Sequence, residues 1–233
     1  MCKALKAPSA ALLLGLPILS LILAPCVTGQ TIEFLSNGLK YQALTREGLT
    51  IMYAPLPLKA RNFAVMQVAF SNGSGHDWLI QPSDFYYKTS DGRVMRAVSE
   101  YTVIHELYER AGRAEVIKLQ MAYEKSIYNN QYIRSNNGYE QRRQSALGMG
   151  GRGGIKAAAA ASAIALVRTK LKAGDSTDGA VFFLNEGKEL GPGSLTARIP
   201  ALPADERGGK KIDTNSDKLI ASLRKTTFEF GTP

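Results

Sequence analysis

Apolar and polar positions set up two regions of different period along this chain. Between residues 30 and 98 the signals are those of strands. Leu49, Ile51 and Tyr53 alternate with Thr50 and Met52, the two-residue period of a half-buried strand, and Pro55 and Pro57 are expected to end that run. In the next segment Ala64, Met66, Val68 and Phe70 fall on one face. Phe63, Val65 and Ala69 fall on the other, interrupted by Gln67. Apolar residues on both faces predict a strand at the centre of a sheet. The loop Ser71-Asn72-Gly73-Ser74-Gly75 follows, then a short strand Trp78-Leu79-Ile80 stopped by Pro82. Phe85–Lys88 and Arg93–Val98 flank Thr89-Ser90-Asp91-Gly92, whose Asp-Gly pair supplies the positive φ values of a tight hairpin.

From about Tyr101 to Arg134 the period changes. Val103, Leu107, Ala114, Ile117, Met121 and Tyr128 fall at three- and four-residue steps or their sums, one stripe of an amphipathic helix. Gly148 to Gly154 is a low-complexity glycine run. Ala157–Val167 is helical by propensity, with Gly174 as its stop and Arg168, Lys170 and Lys172 at the negative end of its dipole. Strand patterns return at Gly179–Leu184, Ser194–Ile199 and Thr226–Phe230, with a loop rich in Pro, Gly and Lys between the last two. The late strands are too few to bury a face alone. The expected architecture is therefore mainly β: early and late strands zip into one antiparallel sandwich over residues 30–233, and a helical, Gly/Ala-rich insertion at about 101–172 is an excursion from it.

The first 29 residues read as a leader. Lys3 and Lys6 precede an apolar run from Ala10 to Ala24, and Val27-Thr28-Gly29 places small residues before Gln30. The run is shorter than the roughly 20 residues that span a bilayer and contains Pro17. Leu23-Ala24-Pro25-Cys26 also resembles a lipobox, which would make Cys26 an acylated N-terminus, although Pro25 stands where a small residue is usual. A mature chain beginning at Gln30 would exclude that route. Both cysteines, Cys2 and Cys26, lie in the leader, so an exported chain from Gln30 onward has neither disulfide nor thiolate.

The formal charge is +9. A positive balance favours solubility and attraction to anionic envelope surfaces. No nucleic-acid module is present, and nucleic acid is not an expected partner.

The run Val65–Ser74, then Gln81-Pro82-Ser83-Asp84-Phe85, then Asp91-Gly92, with Ala173–Phe183 as a late strand, resembles exported bacterial immunoglobulin-like domain proteins of unknown function, which are often lipoproteins. The resemblance implies an immunoglobulin-like β-sandwich. It implies no activity, because the family carries no agreed catalytic residues, and the helical insertion departs from its pattern.

Residue chemistry narrows the functional classes. The only histidines are His76 and His105. His105 begins His-Glu-Leu-Tyr-Glu, where a zinc helix needs a second histidine at position 109. Neither a metal nor a cofactor is expected. A serine triad would need one of the same histidines, and no Gly-x-Ser-x-Gly elbow occurs. Asp84 or Asp91 could pair with another carboxylate for glycosidic hydrolysis, but both stand where a turn wants aspartate.

The expectation is a non-enzymatic envelope protein that binds or scaffolds another envelope protein or a polysaccharide. Its candidate interface is the polar-aromatic, basic stretch Tyr123, Tyr128, Tyr132, Arg134, Tyr139, Arg142 and Arg143. A second candidate is close helix packing through Gly150, Gly154, Ala159 and Ala163, which would support a homo-oligomer or contact with a membrane surface.

Overall fold

The computed structural model describes residues 29–110, 118, 121–125, 161–203 and 217–231. The chain opens with a meander of four antiparallel strands: β1 (Ile32–Ser36), β2 (Leu39–Arg46), β3 (Leu49–Ala60) and β4 (Phe63–Asn72). Its first two turns are Asn37-Gly38 and Glu47-Gly48, where φ is positive at both residues (53° and 76°; 49° and 79°). That conformation matches the twist of the flanking strands and makes the connections tight.

Pro55 and Pro57 do not end β3. The strand runs through both, and its register against β4 shifts between Pro55 and Lys59. An irregularity at this place accommodates two residues that have no N–H to give to the ladder.

The remaining strands are β5 (Trp78–Ile80), β6 (Phe85–Thr89), β7 (Val94–Arg96), β8 (Thr169–Leu171), β9 (Ser176–Leu184), β10 (Gly193–Pro200) and β11 (Lys225–Glu229). They form a five-stranded sheet in the order β1-β2-β3-β4-β9, a four-stranded sheet β11-β10-β6-β7 and a two-stranded ribbon β5-β8. The pairing of β4 with β9 joins residues more than a hundred positions apart, with Val65 opposite Phe182 and Phe70 opposite Thr177. Early and late strands therefore share one sandwich.

The β6–β7 hairpin differs from its expected turn. Only Gly92 has positive φ; Asp91 instead accepts hydrogen bonds from the Thr89 hydroxyl and the Arg93 N–H. The Thr89 N–H donates to Arg93 O (2.9 Å) and the Gly92 N–H donates to Thr89 O (2.9 Å), which closes a longer loop in which glycine takes the left-handed position.

The centre of the five-stranded sheet is covered on both faces, which is why β4 is apolar on both sides, whereas the edge strand β1 is largely exposed. Toward the four-stranded sheet, Ile51, Val68, Phe70, Val181 and Phe183 pack with Phe85, Leu195 and Phe228. On the opposite face, Phe63, Val65, Ala180 and Phe182 pack with Val103 and Leu107 of helix α1 (Glu100–Arg110), with Tyr123, and with Ala161, Ile164 and Ala165. The described residues of the helical tract thus cover this face and share a core with it. Deleting them would expose an apolar sheet face.

Two details of the tract differ from the periodic reading. Met121 is exposed (64%) whereas Tyr123 is buried, so one stripe of constant phase does not hold from Val103 onward. The helix predicted through Val167 toward Gly174 persists in the described residues only at 161–164. Thr169–Leu171 is a strand paired with Trp78–Ile80, so a tertiary partner overrides local propensity there. A six-residue helix, Asp217–Ser222, also stands in the tract read as loop before β11.

The outer edge of β9 is covered by short crossings. Val98 N–H donates to Phe182 O (2.9 Å), and Leu166 N–H donates to Ala180 O (2.8 Å). The second crossing needs glycine at 179, because a Cβ there would lie 2.6 Å from Leu166 Cα, a backbone atom that cannot step aside. Gly179→Ala is expected to cost about 1–2 kcal/mol in urea unfolding, as overpacking does. An unchanged midpoint would refute this close approach.

Candidate binding face

Strand alternation aims one set of side chains of β6, β7, β10 and β11 into the core and the other outward. Phe85, Tyr87, Met95, Leu195, Ala197 and Phe228 point in. The register then fixes the outward set. Tyr86 stands directly opposite Arg96 on β7 and Thr196 on β10, and Lys88 stands opposite Val94 and Ser194. Arg198 stands opposite Thr227, and Thr196 opposite Glu229, across β10 and β11. The outward strand positions of this sheet thus carry Lys88, Arg96, Arg198 and Lys225 against one carboxylate, Glu229.

The arginines are held. The guanidinium carbon of Arg96 lies 5.7 Å from the Tyr86 ring centroid, and that of Arg198 lies 5.4 Å away. Their strands flank β6 on either side, so the ring supports a cation from each neighbour. Arg96 Nε also donates to Ser83 O (2.9 Å). Lys225 is committed elsewhere: its Nζ lies 3.1 Å from Oδ1 of Asp84, which is 2% exposed. Burial pushes the Asp84 carboxyl above its ordinary range, and the hydrogen bond and charge of Lys225, with Gln81 and Arg96, only partly oppose this. Asp84 Oδ2 is buried without a hydrogen-bond partner. Lys88, Arg96 and Arg198 form no ion pair among the described residues, and all three are exposed. Chemically, the face presents fixed N–H donors and positive charge on a rigid sheet, suited to oxyanions.

The other polar features are occupied by structure. A cavity of about 320 Å³ lies beside β8 and β9, lined by Leu166, Val167, Thr169, Lys170, Thr177 and Asp178 among others. Lys170 pairs with Asp77 (3.1 Å), and Asp178 accepts from the hydroxyl of Tyr123. Asn72 ties the 72–78 loop together: its amide donates to His76 O, and its Oδ1 accepts from Ser74, whose hydroxyl receives Trp78 Nε1–H. His76 lies tilted against the Trp78 ring (4.7 Å between centroids), and His105 pairs with Glu109 on α1. The histidines thus sit on separate elements. Among the described residues, no group of three or more metal-type ligands occurs. Asp91 shapes its turn and Asp84 holds Lys225, so each of these two carboxylates has a structural task.

Of the residues predicted for an interface, Tyr123 is fully buried and faces the sheet. Tyr128, Tyr132, Arg134, Tyr139, Arg142 and Arg143 lie outside the described residues. Ala163 is 3% exposed and is spent on packing within this chain. Gly150, Gly154, Ala159 and Cys26 lie outside the described residues. No described helix is long and apolar enough to cross a membrane.

The sequence reading missed Tyr86, Lys88, Arg96 and Arg198. A signal existed: within each strand these occupy the polar phase of the alternation. Their convergence depends on the β6–β10 pairing, which joins segments about a hundred residues apart.

No protein-family model and no curated protein matches the chain. Two solved structures from Bacillus subtilis align with it. One is ycdA, provisionally described as a lipoprotein, at 12% identity and a TM-score of 0.31, covering 81% of this chain. This chain spans only 38% of that protein's length. The other is the yjhA protein, at 8% identity and a TM-score of 0.29, covering 86% of this chain and 96% of that one. Likenesses this remote carry no functional argument.

Proposed function

We propose that this chain is a non-enzymatic, exported envelope protein that binds another envelope component through the outer face of its four-stranded sheet. The observation that carries this reading is the Arg96–Tyr86–Arg198 stack beside Lys88, open to solvent on a rigid sheet. The leader-like first 29 residues support export, and Cys26 offers a route to a lipid anchor. The likeness to exported immunoglobulin-like domains belongs to the same reading.

The test is capture of envelope material by the purified protein and by the double variant Arg96→Glu/Arg198→Glu. Both positions are exposed, so the variant should melt within a few degrees of the parent. Captured material is expected to fall at least about tenfold, since charge reversal at two held cations removes several contacts together. Equal capture by both proteins would overturn the assignment of this face.

A further inference from the structure

We propose that the ligand of this face is a linear envelope polymer carrying phosphodiester groups, bound across the strands by the guanidiniums of Arg96 and Arg198 with Lys88 beside them. This inference rests on the preceding functional reading and deepens it by naming the ligand chemistry.

The arrangement of Tyr86 decides between neutral and charged polymers. Protein sites that recognise neutral sugars offer an open aromatic surface, because a pyranose ring is amphipathic. Tyr86 offers none: its ring is approached by a guanidinium from the strand on each side. What the face presents outward is the planar N–H fork of two arginines and one ammonium. A fork of this kind matches a phosphate or carboxylate in two-point fashion, and the weak hydration of guanidinium lowers the cost of giving up water.

The pattern of charge extends the argument. Arg96 on β7, Tyr86 and Lys88 on β6, and Arg198 on β10 lie on three successive strands at a spacing of about 4.8 Å each. Cations distributed over that width engage successive charges of a chain better than they engage one small ion. The carboxylate of Glu229 lies past Thr196 on the β11 side and marks where the positive strip ends. Lys225, held by Asp84, sits on that same side and does not extend it.

Phosphodiester is favoured over carboxylate because its charge persists in acid that would protonate a carboxylate, while its two free oxygens offer the guanidinium fork the same two-point match. Stacking on one ring keeps both forks in place before the ligand arrives, which lowers the ordering cost of binding.

The probe is inorganic polyphosphate, a phosphoanhydride chain whose inner units carry the one charge and two free oxygens of a phosphodiester, titrated against the full chain, with polygalacturonate as the carboxylate arm and dextran as the neutral arm. Polyphosphate is expected to bind, and its affinity to fall on the order of tenfold between about 50 and about 200 mM salt as counterions are released. Arg96→Ala/Arg198→Ala should lose at least about tenfold in affinity while melting within a few degrees of the parent. Arg96→Lys/Arg198→Lys should recover only part, because charge returns without the fork. Tyr86→Ala should weaken binding although it removes no charge, since it frees both guanidiniums.

Polygalacturonate or dextran binding as tightly as polyphosphate would overturn the phosphodiester assignment, as would an alanine double variant that binds like the parent. Capture of envelope material that depends on Arg96 and Arg198, without polyphosphate binding, would sink the ligand class and leave the binding face standing. Capture indifferent to both arginines would sink the face itself.

Discussion

Truncating Trp78 to alanine is expected to remove about 3–5 kcal/mol of stability, as large-to-small changes of buried aromatics do, and to lower the melting temperature by on the order of 10 °C. Three contacts meet at this one residue, two of them made by its side chain. It is fully buried and lies edge-on to Phe228 at 6.5 Å, so it packs a strand of the β5-β8 ribbon against the last strand of the four-stranded sheet. Its Nε1–H donates to Ser74 Oγ (3.0 Å), which ties the 72–78 loop to the core. Its backbone bridges to Ala201 at the end of β10. A cavity here would loosen ribbon, loop and sheet together, and little nearby could collapse to fill it. Trp78→Phe keeps most of the volume and loses the hydrogen bond, so it should cost only about 1–2 kcal/mol. As this is the single tryptophan of the chain, unfolding is followed by circular dichroism. A loss below about 1 kcal/mol for the alanine variant would show that the ribbon is not mechanically part of the core.

The same residues show how far the sequence leads. The short strand Trp78–Ile80 is legible because Pro82 bounds it, and the double-faced β4 is legible because both of its phases are apolar. What covers each face is not. Phe63 and Val65 meet helices, whereas Val68 and Phe70 meet a second sheet, and nothing local distinguishes the two environments. Long-range pairing explains most differences. Thr169–Leu171 becomes a strand because Trp78–Ile80 needs a partner, and β3 passes Pro55 and Pro57 because an irregular register tolerates them. The proposed binding face was hidden for the same reason. Tyr86 and Arg96 are neighbours through a hairpin readable from sequence, but Arg198 joins them only through the β6–β10 register. Tyr123, aromatic and polar like its sequence neighbours that were expected at an interface, is held against the sheet by its hydroxyl on Asp178.

Lys225→Met is expected to destabilise the fold by about 3 kcal/mol near neutral pH, the low end for breaking a buried pair because the lysine itself is 34% exposed. The cost falls on Asp84, which is 2% exposed and would keep only Gln81 (3.4 Å) and the field of Arg96 to hold its charge. The pH dependence follows from the direction of the shift. Burial, the largest cause, already raises Asp84 above its ordinary 3.8, so the folded protein takes up this proton before the unfolded chain does. Asp84 therefore penalises folding above its folded pKa, and the penalty fades as pH falls from there toward 3.8. Loss of Lys225 removes the main opposing influence, raises Asp84 further and widens that window upward. Between about pH 7 and about pH 4 the variant should recover stability relative to the parent. Asp91 and Glu33, whose carboxyls are held below their usual range by hydrogen bonds, contribute with the opposite sign, but equally in both proteins, so they cancel in the difference. Asp84→Asn, which leaves an exposed lysine and no buried charge, should lie within about 1 kcal/mol of the parent at neutral pH. Urea midpoints of the three proteins across this range provide the check, and parallel profiles for parent and Lys225→Met would show that Lys225 is not what keeps the buried carboxylate charged.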